Sequence, residues 1–278
     1  MNRLLSVWIV AVAAGLAMLG WAFWYRPRRV MVRRYELELP HWPAGLDCLK
    51  IAILTDLHAG GPHVDARKVA RIVSRVNGEC PDLVALLGDY VDADVPGGDP
   101  VSPESVAAAL SRSTAPLGIF AVMGNHDLVY GAERVRGALR DAGIRLLEND
   151  AVELVHGGAA LELRGLADPQ AGPEDAPRAR SEDTGRGVLL LAHSPDVFPG
   201  VPNDVSLTLA GHTHGGQVDL PVVRDRTIPS RFGGRYRSGL IVEDDRHLFV
   251  SPGIGTSRLP VRLLAAPEVS ILLLHGSG

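Results

Sequence analysis

The chain has 278 residues, of which 46% are hydrophobic and 22% are charged, a balance that excludes an intrinsically disordered polypeptide. Its net charge of −4 gives no general attraction to nucleic acid, and we predict no nucleic-acid partner. Its two cysteines are too few for a disulfide framework or a cysteine-ligated structural zinc site.

The first predicted element is an apolar helix near the amino terminus. Residues 4–25 contain no charged side chain, and a helix of this length would measure about 33 Å, enough to cross the hydrocarbon core of a bilayer. Aromatic residues typical of a membrane interface lie at its far end: Trp21, Trp24 and Tyr25. A cleaved signal peptide is the alternative, but the run is long for one and lacks a small-residue cleavage site before Arg26. We therefore predict an uncleaved transmembrane anchor over residues 1–25.

Arginines predict the orientation of this anchor. Only Arg3 precedes the apolar run, whereas several arginines follow it. These are Arg26, Arg28, Arg29, Arg33 and Arg34. The positive-inside tendency then places the large domain in the cytoplasm, and we predict a single-pass protein of the cell membrane. We interpret residues 26–45 as a basic juxtamembrane linker and residues 46–278 as one globular domain.

Short apolar runs alternate with amphipathic segments through this domain. In its first half, strands are predicted at 49–54, 83–87 and 119–123, and helices around 69–76, at 103–110 and at 133–142. In its second half, strands are predicted at 151–155, 161–166, 188–192, 205–209, 247–250 and 269–274. Residues 168–187 are rich in Pro, Gly and charge, which indicates an exposed loop. The order of elements predicts an α/β domain with central strands buried on both faces.

Polar motifs follow five of the predicted strands. They are Thr55-Asp56-Leu57-His58, Gly88-Asp89-Tyr90-Val91-Asp92, Gly124-Asn125-His126-Asp127, His193 and Gly211-His212-Thr213-His214. The carboxyl ends of strands form the ligand-binding edge of open α/β sheets, so we expect these side chains to meet in one site. Glycine at 88, 124 and 211 allows sharp turns and close approach of the backbone to a bound group.

The donor types in these motifs predict a metal centre. Imidazole and carboxylate without thiolate suit Mn, Fe, Zn or Co rather than calcium. One ion needs about four to six donors, whereas seven good donors are present, so a pair of ions that share a carboxylate explains them better. Such a pair can activate a water and neutralise a phosphoryl group. Alone, Asp56 could cap a turn and His193 could be a hydrogen-bonded histidine, but the motifs together favour catalysis.

The motifs and their order resemble those of the calcineurin-like metallophosphoesterase superfamily, over roughly residues 46–274. Residues 211–217 and 251–262, together with the apolar leader, resemble its bacterial, membrane-associated YkuE/YaeI-like branch. The resemblance implies an enzyme with an α/β fold, a four-layer α-β-β-α sandwich of two mixed sheets with the metals at its apex.

The resemblance also implies a role for each motif residue. One ion would be held by Asp56, His58 and His214, the other by Asn125, His193 and His212, and Asp89 would bridge both. His126 would protonate the leaving oxygen or stabilise the transition state without binding an ion. Asp92 and Asp127 would orient the imidazoles and the other ligands.

The implied reaction is hydrolysis of a phosphodiester or pyrophosphate by a hydroxide activated between two divalent ions, Mn, Fe or Zn. The expected partner is an anionic phosphoester, and the anchor favours a membrane-associated, lipid-linked substrate. One alternative is hydrolysis of the UDP-2,3-diacylglucosamine pyrophosphate bond of lipid A synthesis. The other is a non-catalytic metal-binding scaffold at the membrane.

Arginines also crowd the chain after the last metal motif. They are Arg224, Arg226, Arg231, Arg235, Arg237, Arg258 and Arg262. We predict that Arg235 and Arg258 bind the anionic substrate. The alternative for this group is a solvated face with surface ion pairs.

Overall fold

A computed structural model describes residues 2–92, 95–168, 185–220 and 228–276. It begins with helix α1 (Asn2–Gly20), which continues as a π-helix over Trp21–Tyr25 and a 3-10 turn over Arg26–Arg28. The apolar part of this continuous helix is exposed and is long enough to cross a membrane. The chain then enters a domain of two stacked sheets.

The first sheet has six strands. They are β1 (Met31–Leu39), β2 (Leu49–Leu54), β3 (Leu83–Leu86), β4 (Ile119–Ala121) and β5 (Arg145–Leu146), with the last strand of the chain, β12 (Glu268–Gly276). Their order is β1-β12-β2-β3-β4-β5. Strands β2 to β5 are parallel, β12 is antiparallel to β2, and β1 is parallel to β12. Three helices lie on its outer face: α2 (Ala66–Asn77), α3 (Pro103–Leu110) and α4 (Asn125–Asp141).

The second sheet also has six strands. They are β6 (Asp150–His156), β7 (Ala159–Gly165), β8 (Gly187–Leu191), β9 (Leu207–Ala210), β10 (Gly239–Glu243) and β11 (Arg246–Val250). Their order is β10-β11-β9-β8-β7-β6. The four central strands are parallel, and each edge strand is antiparallel to its neighbour, so this sheet is mixed like the first.

Alternating side chains of the strands build the layers. In β2, Ala52 and Leu54 pack towards the helices, whereas Ile51 and Ile53 pack towards the second sheet. The outer face of the second sheet packs on the 3-10 segment Pro195–Gly200 and on Tyr236. The predicted α/β sandwich of two mixed sheets is confirmed, with 3-10 segments in its fourth layer among the described residues.

The structure differs from the sequence prediction at residues 26–45, where a linker was expected. Met31–Leu39 of this stretch forms β1 and pairs with β12. Of its nine residues only Leu37 and Leu39 are buried, so the strand lacks the apolar run that marks the central strands. The sheet therefore begins before residue 46.

Two further predictions concern helix α4 and the long loop. The helix was expected at 133–142, but it begins at Asn125, so the motif Asn125-His126-Asp127 forms its first turn. The predicted loop at 168–187 lies mostly outside the described residues, from 169 to 184.

Candidate metal centre

The carboxyl ends of strands from both sheets meet at one edge of the sandwich. Asp56 follows β2, Asp89 follows β3 and Asn125 follows β4, while β8 and β9 of the second sheet lead to His193 and His212. His58 and His214 complete the set. The structure brings all seven predicted ligands together, and each is buried or half-buried.

Three of these residues form one group of potential ligands. The donor atoms of Asp56, His58 and His214 lie within 4.8 Å of one another. The Nε2 atoms of His58 and His214 are 3.0 Å apart. Asp56 Oδ1 is 3.5 Å from His214 Nε2.

A second group lies beside the first. His193 Nε2 is 3.1 Å from Asn125 Oδ1 and 3.1 Å from His212 Nδ1. Asp89 connects the two groups, because its Oδ2 is 3.3 Å from His193 Nε2 and 3.4 Å from His58 Nε2. One carboxylate oxygen therefore occupies the position that a bridging ligand requires.

The far nitrogens of two histidines are already bonded, which leaves the near nitrogens as acceptors. His58 Nδ1 donates to Asp92 Oδ2 at 2.7 Å, and His193 Nδ1 donates to the Leu87 carbonyl at 2.7 Å. In a neutral imidazole the Nε2 atom then carries a lone pair. These lone pairs face the carboxylate of Asp89 and the amide oxygen of Asn125 rather than hydrogen-bond donors. A cation satisfies such a cluster of acceptors, so the donor set fits divalent metal ions.

The charges of the pocket lead to the same conclusion. Burial lowers the pKa of His193, but the adjacent Asp89 carboxylate more than compensates and raises it to about 10, so a metal ion would have to displace a proton from this ring to use its Nε2 lone pair. Burial raises the pKa of Asp89, yet His193 and His58 hold it well below its usual range. Burial and the nearby His58 keep the pKa of His214 well below its usual value, which preserves its lone pair. The pocket therefore stabilises positive charge beside Asp89.

The backbone at the site is strained. Five of the seven predicted ligands have left-handed φ angles: Asp56 (51°), His58 (44°), Asp89 (55°), His212 (68°) and His214 (53°). Non-glycine residues rarely adopt this conformation, and each instance costs on the order of 1–3 kcal/mol. Such strain clusters where function requires a particular side-chain direction.

Glycines allow the motif loops to approach each other closely. A Cβ atom at Gly124 would lie 2.2 Å from Asp89 Oδ1, and one at Gly211 would lie 2.6 Å from Asp56 Oδ2. Both distances are shorter than any van der Waals contact. These two glycines therefore let the motif loops pack against the potential ligands, while close approach of their backbone to a bound group stays a prediction.

Asp127 supports the loops of the site rather than its imidazoles. Its carboxylate accepts backbone N–H bonds from Asp89 at 2.7 Å, Tyr90 at 2.8 Å and Gly124 at 3.0 Å. Burial and the charge of Asp89 raise the pKa of Asp127 to about 7. Asp92 contacts imidazoles directly, since its Oδ2 bonds His58 and lies 3.4 Å from His126 Nδ1.

Four of the potential ligands, Asp89, Asn125, His212 and His214, line a cleft of about 520 Å³. His126 lies on its wall, with its Nε2 3.4 Å from the Ser257 hydroxyl. Burial lowers the pKa of His126, but its contact with Asp92 and the charge of Asp89 raise it above the ordinary value. His126 therefore holds a proton more readily than a free imidazole does, and it lines the cleft where a substrate would lie.

The two arginines predicted to bind substrate have different surroundings. Arg258 lines the cleft, with a left-handed φ of 61°. Arg235 is not among the residues that line it and instead binds Glu243 through two hydrogen bonds of 2.7 Å. The structure therefore brings Arg258, but not Arg235, to the site.

The remaining arginines of that group mostly serve the fold. Arg231 binds Asp196, and Arg237 binds Asp219. Arg224 and Arg226 lie outside the described residues. Of the arginines in this group that the structure describes, only Arg258 lines the cleft.

The sequence did not identify Arg262 as part of the site. Its guanidinium is fully buried and donates to the carbonyls of His214 at 2.8 Å, Pro252 at 2.8 Å and Gly255 at 2.6 Å. Burial lowers the pKa of Arg262 to about 10. It lies in the segment 251–262 that resembles the YkuE/YaeI-like branch, which was the only signal of its importance in the sequence.

Comparisons with known proteins agree with this site. The model of the calcineurin-like phosphoesterase family matches residues 49–216. The chain is 29% identical to the uncharacterized metallophosphoesterase YkuE of Bacillus subtilis, over 96% of this chain and 94% of YkuE. It is 34% identical to the phosphodiesterase YaeI of Escherichia coli, over 80% of this chain and 81% of YaeI. It is also 30% identical to a transmembrane protein with a metallophosphoesterase domain from Danio rerio, over 97% of this chain and 62% of that protein.

Proposed function

Because the chain belongs to the calcineurin-like phosphoesterase family, we propose that its metal centre hydrolyses a phosphodiester or pyrophosphate with two divalent ions bound. The chain is a metal-dependent phosphoester hydrolase similar to YkuE and YaeI. The observation that carries the proposal of two ions is the position of Asp89 Oδ2, 3.3 Å from His193 Nε2 and 3.4 Å from His58 Nε2. Manganese, iron and zinc all suit this donor set.

Each group of ligands would hold one ion. Asp56, His58 and His214 would bind the first, Asn125, His193 and His212 the second, and Asp89 both. When bound, such ions supply a water of lowered pKa as the nucleophile and neutralise phosphoryl oxygens. Asp92 and the Leu87 carbonyl hold the rings of His58 and His193 so that each Nε2 faces Asp89, where it could bind an ion.

His126 would act as the general acid. It is half-buried in the cleft wall, and the hydrogen bond to Asp92 together with the charge of Asp89 favours its protonated form. A proton on this ring can pass to the leaving oxygen as the phosphorus–oxygen bond breaks. Arg258, at the same cleft, would bind a phosphoryl oxygen of the substrate.

We also infer that α1 anchors the protein in the cell membrane, with the catalytic domain in the cytoplasm. The helix is exposed and apolar, and five arginines follow it within residues 26–34. An anchored enzyme suits a membrane-associated phosphoester. Hydrolytic activity that depends on bound metal and on His126 would distinguish an enzyme from the alternative, a non-catalytic metal-binding scaffold.

Turnover of bis-p-nitrophenyl phosphate by the full chain in detergent tests the proposal. We expect a chelator to abolish hydrolysis and Mn²⁺ to restore it. His126→Ala should reduce kcat by roughly 10²–10⁴-fold, the usual contribution of a general acid, while the metal content stays unchanged. Metal loss in His126→Ala would instead make His126 a ligand, and full activity after chelation would overturn the metal-dependent mechanism.

A further inference from the structure

The amino-terminal helix is fixed to the catalytic domain rather than attached as a loose tether. The backbone N–H of Arg262 donates to the Ala22 carbonyl at 3.0 Å. Lys68 Nζ donates to the Pro27 carbonyl at 3.1 Å, and Arg75 donates to the Val30 carbonyl at 2.8 Å. Ala22, Pro27 and Val30 are buried, whereas most of the helix before them is exposed. The end of the helix therefore sets the position of the domain.

The contact at Ala22 fixes the depth of one segment of the domain. Ala22 lies among Trp21, Trp24 and Tyr25, the aromatic residues expected at the membrane interface. Helix carbonyls point towards the carboxyl end, so the Arg262 N–H that meets the Ala22 carbonyl lies near the level of Trp24 and Tyr25. With α1 across a bilayer, residues near Arg262 must therefore lie at the level of the lipid headgroups.

Two exposed leucines flank Arg262. Leu259 is 56% exposed and Leu264 is 60% exposed. Leu264 also has a left-handed φ of 63°, so an apolar side chain is held outwards by a backbone conformation that leucine rarely adopts. Backbone hydrogen bonds of the adjacent Leu263 with Gln217 and Asp219 fix this conformation. Leu264 thus departs from two rules, that apolar side chains are buried and that leucine avoids a left-handed φ. Such a departure indicates a functional position.

We propose that Leu259 and Leu264 insert into the bilayer that α1 spans, so that residues 259–264 form a membrane-contact segment. The proposal rests on the membrane anchor inferred above. Its occupant is the lipid bilayer, because the bond between Arg262 and Ala22 places the segment at the depth where the helix enters the domain.

The membrane-contact segment also borders the catalytic cleft. Arg258, Leu259 and Val261 line the same cleft as the potential ligands Asp89 and His212. The cleft thus opens at the lipid surface, with an apolar wall on that side. The substrate class that fits is an amphiphilic phosphoester, whose apolar part lies along Leu259 and Val261 while its phosphoryl group reaches the metal ligands.

Spin labels on the full chain in lipid nanodiscs test the contact. With Cys48 and Cys80 replaced by serine, one cysteine is introduced at a time as Leu264→Cys, Leu16→Cys or Val155→Cys. Leu16 lies in α1, and Val155, 68% exposed, lies in β6 of the second sheet. We expect the labels at 264 and at 16 to collide with oxygen more often than with a water-soluble nickel complex. The label at 155 should collide more often with the nickel complex.

The same labels distinguish the possible failures. Nickel accessibility at 264 equal to that at 155, with 16 in lipid, would overturn the membrane-contact segment and leave the anchor intact. Nickel accessibility at 16 would overturn the anchor itself. Spin–spin broadening at 264, with both reagents excluded, would show that a second copy of the chain covers the leucines instead of lipid.

Kinetics test the access of substrate from the membrane. Leu264→Asn suits the left-handed backbone and removes the apolar side chain, and Leu264 does not line the cleft. We expect a roughly tenfold higher KM for a diacyl p-nitrophenyl phosphodiester in vesicles, from the lost apolar burial, and unchanged turnover of bis-p-nitrophenyl phosphate. Val155→Asn is the matched control. An unchanged KM for the lipid substrate would overturn the proposed access of substrate from the membrane. An equal loss of activity on both substrates would show that Leu264 serves the fold instead.

Discussion

Two groups of potential metal ligands lie at opposite ends of strand β2. Beyond its carboxyl end, Asp56, His58 and His214 are buried. Before its amino end, Asp47, Cys48 and His275 offer similar donors, but Asp47 and Cys48 are exposed.

The two groups differ in how their polar atoms are satisfied. In the exposed group, His275 Nδ1 lies 3.2 Å from Asp47 Oδ1, and the hydrogen bond to Asp47 raises the pKa of the Cys48 thiol. In the buried group, Asp92 holds the far side of His58, and the near side faces other acceptors. Donor types alone therefore do not define a metal centre. Burial, oriented rings and unsatisfied acceptors do.

The bridging carboxylate gives the largest expected difference between the two groups. Asp89→Asn removes the charge shared by both sets of ligands, so we expect loss of metal and a fall in kcat/KM of more than about a hundredfold, above the usual effect of an outer partner. Asp47→Asn, in the exposed group, should leave activity and metal content unchanged. Hydrolysis of bis-p-nitrophenyl phosphate and elemental analysis measure both. Full metal content in Asp89→Asn would contradict the claim that the buried group, unlike the exposed one, binds metal through Asp89.

The close backbone approach at the buried group gives an intermediate effect. Gly124→Ala would place a methyl group 2.2 Å from Asp89 Oδ1 and 2.4 Å from the Asp89 nitrogen, so the carboxylate must move. We expect a loss of kcat of about a hundredfold, because a displacement of about 1 Å can cost this much. Gly137→Ala in α4 is the matched control, since its Cβ would meet nothing within 4 Å. Equal activity of the two variants would show that the site tolerates movement of Asp89.

The arginines give the smallest expected effect. Arg258→Ala should raise KM for an anionic phosphodiester roughly tenfold, the value of one charge-assisted hydrogen bond, with little change in kcat. Arg235→Ala should change neither parameter, because Glu243 binds that side chain away from the cleft. Steady-state kinetics of both variants provide the comparison. A larger effect at Arg235 than at Arg258 would contradict the assignment of the cleft.

The meeting of the potential ligands at one edge could be predicted because each motif follows a buried strand. The bounds of β2, Leu49–Leu54, coincide with the predicted apolar run, so the position of Asp56 at its end was fixed as well. Parallel strands bring their carboxyl ends to one edge, which places Asp89 beside Asp56 without any knowledge of side chains.

Contacts between distant parts of the chain could not be predicted. Strand β1 has an alternating, charged pattern, and Arg34 is paired with Glu79 in the turn after α2. Arg235 follows the last motif in the sequence, but its pairing with Glu243 depends on the position of strand β10, which the sequence does not give. Arg262 resembled one more surface charge, yet the carbonyls that allow its burial come from three separate residues.

A crystal structure of the full chain grown with Mn²⁺, with anomalous diffraction at the manganese edge, tests the central claim most directly. We predict two anomalous peaks on either side of Asp89 Oδ2, one beside His58 and His214 and the other beside His193 and His212. A single peak at this edge, or manganese at Asp47 and His275 with none beside Asp89, would contradict the proposed dinuclear centre.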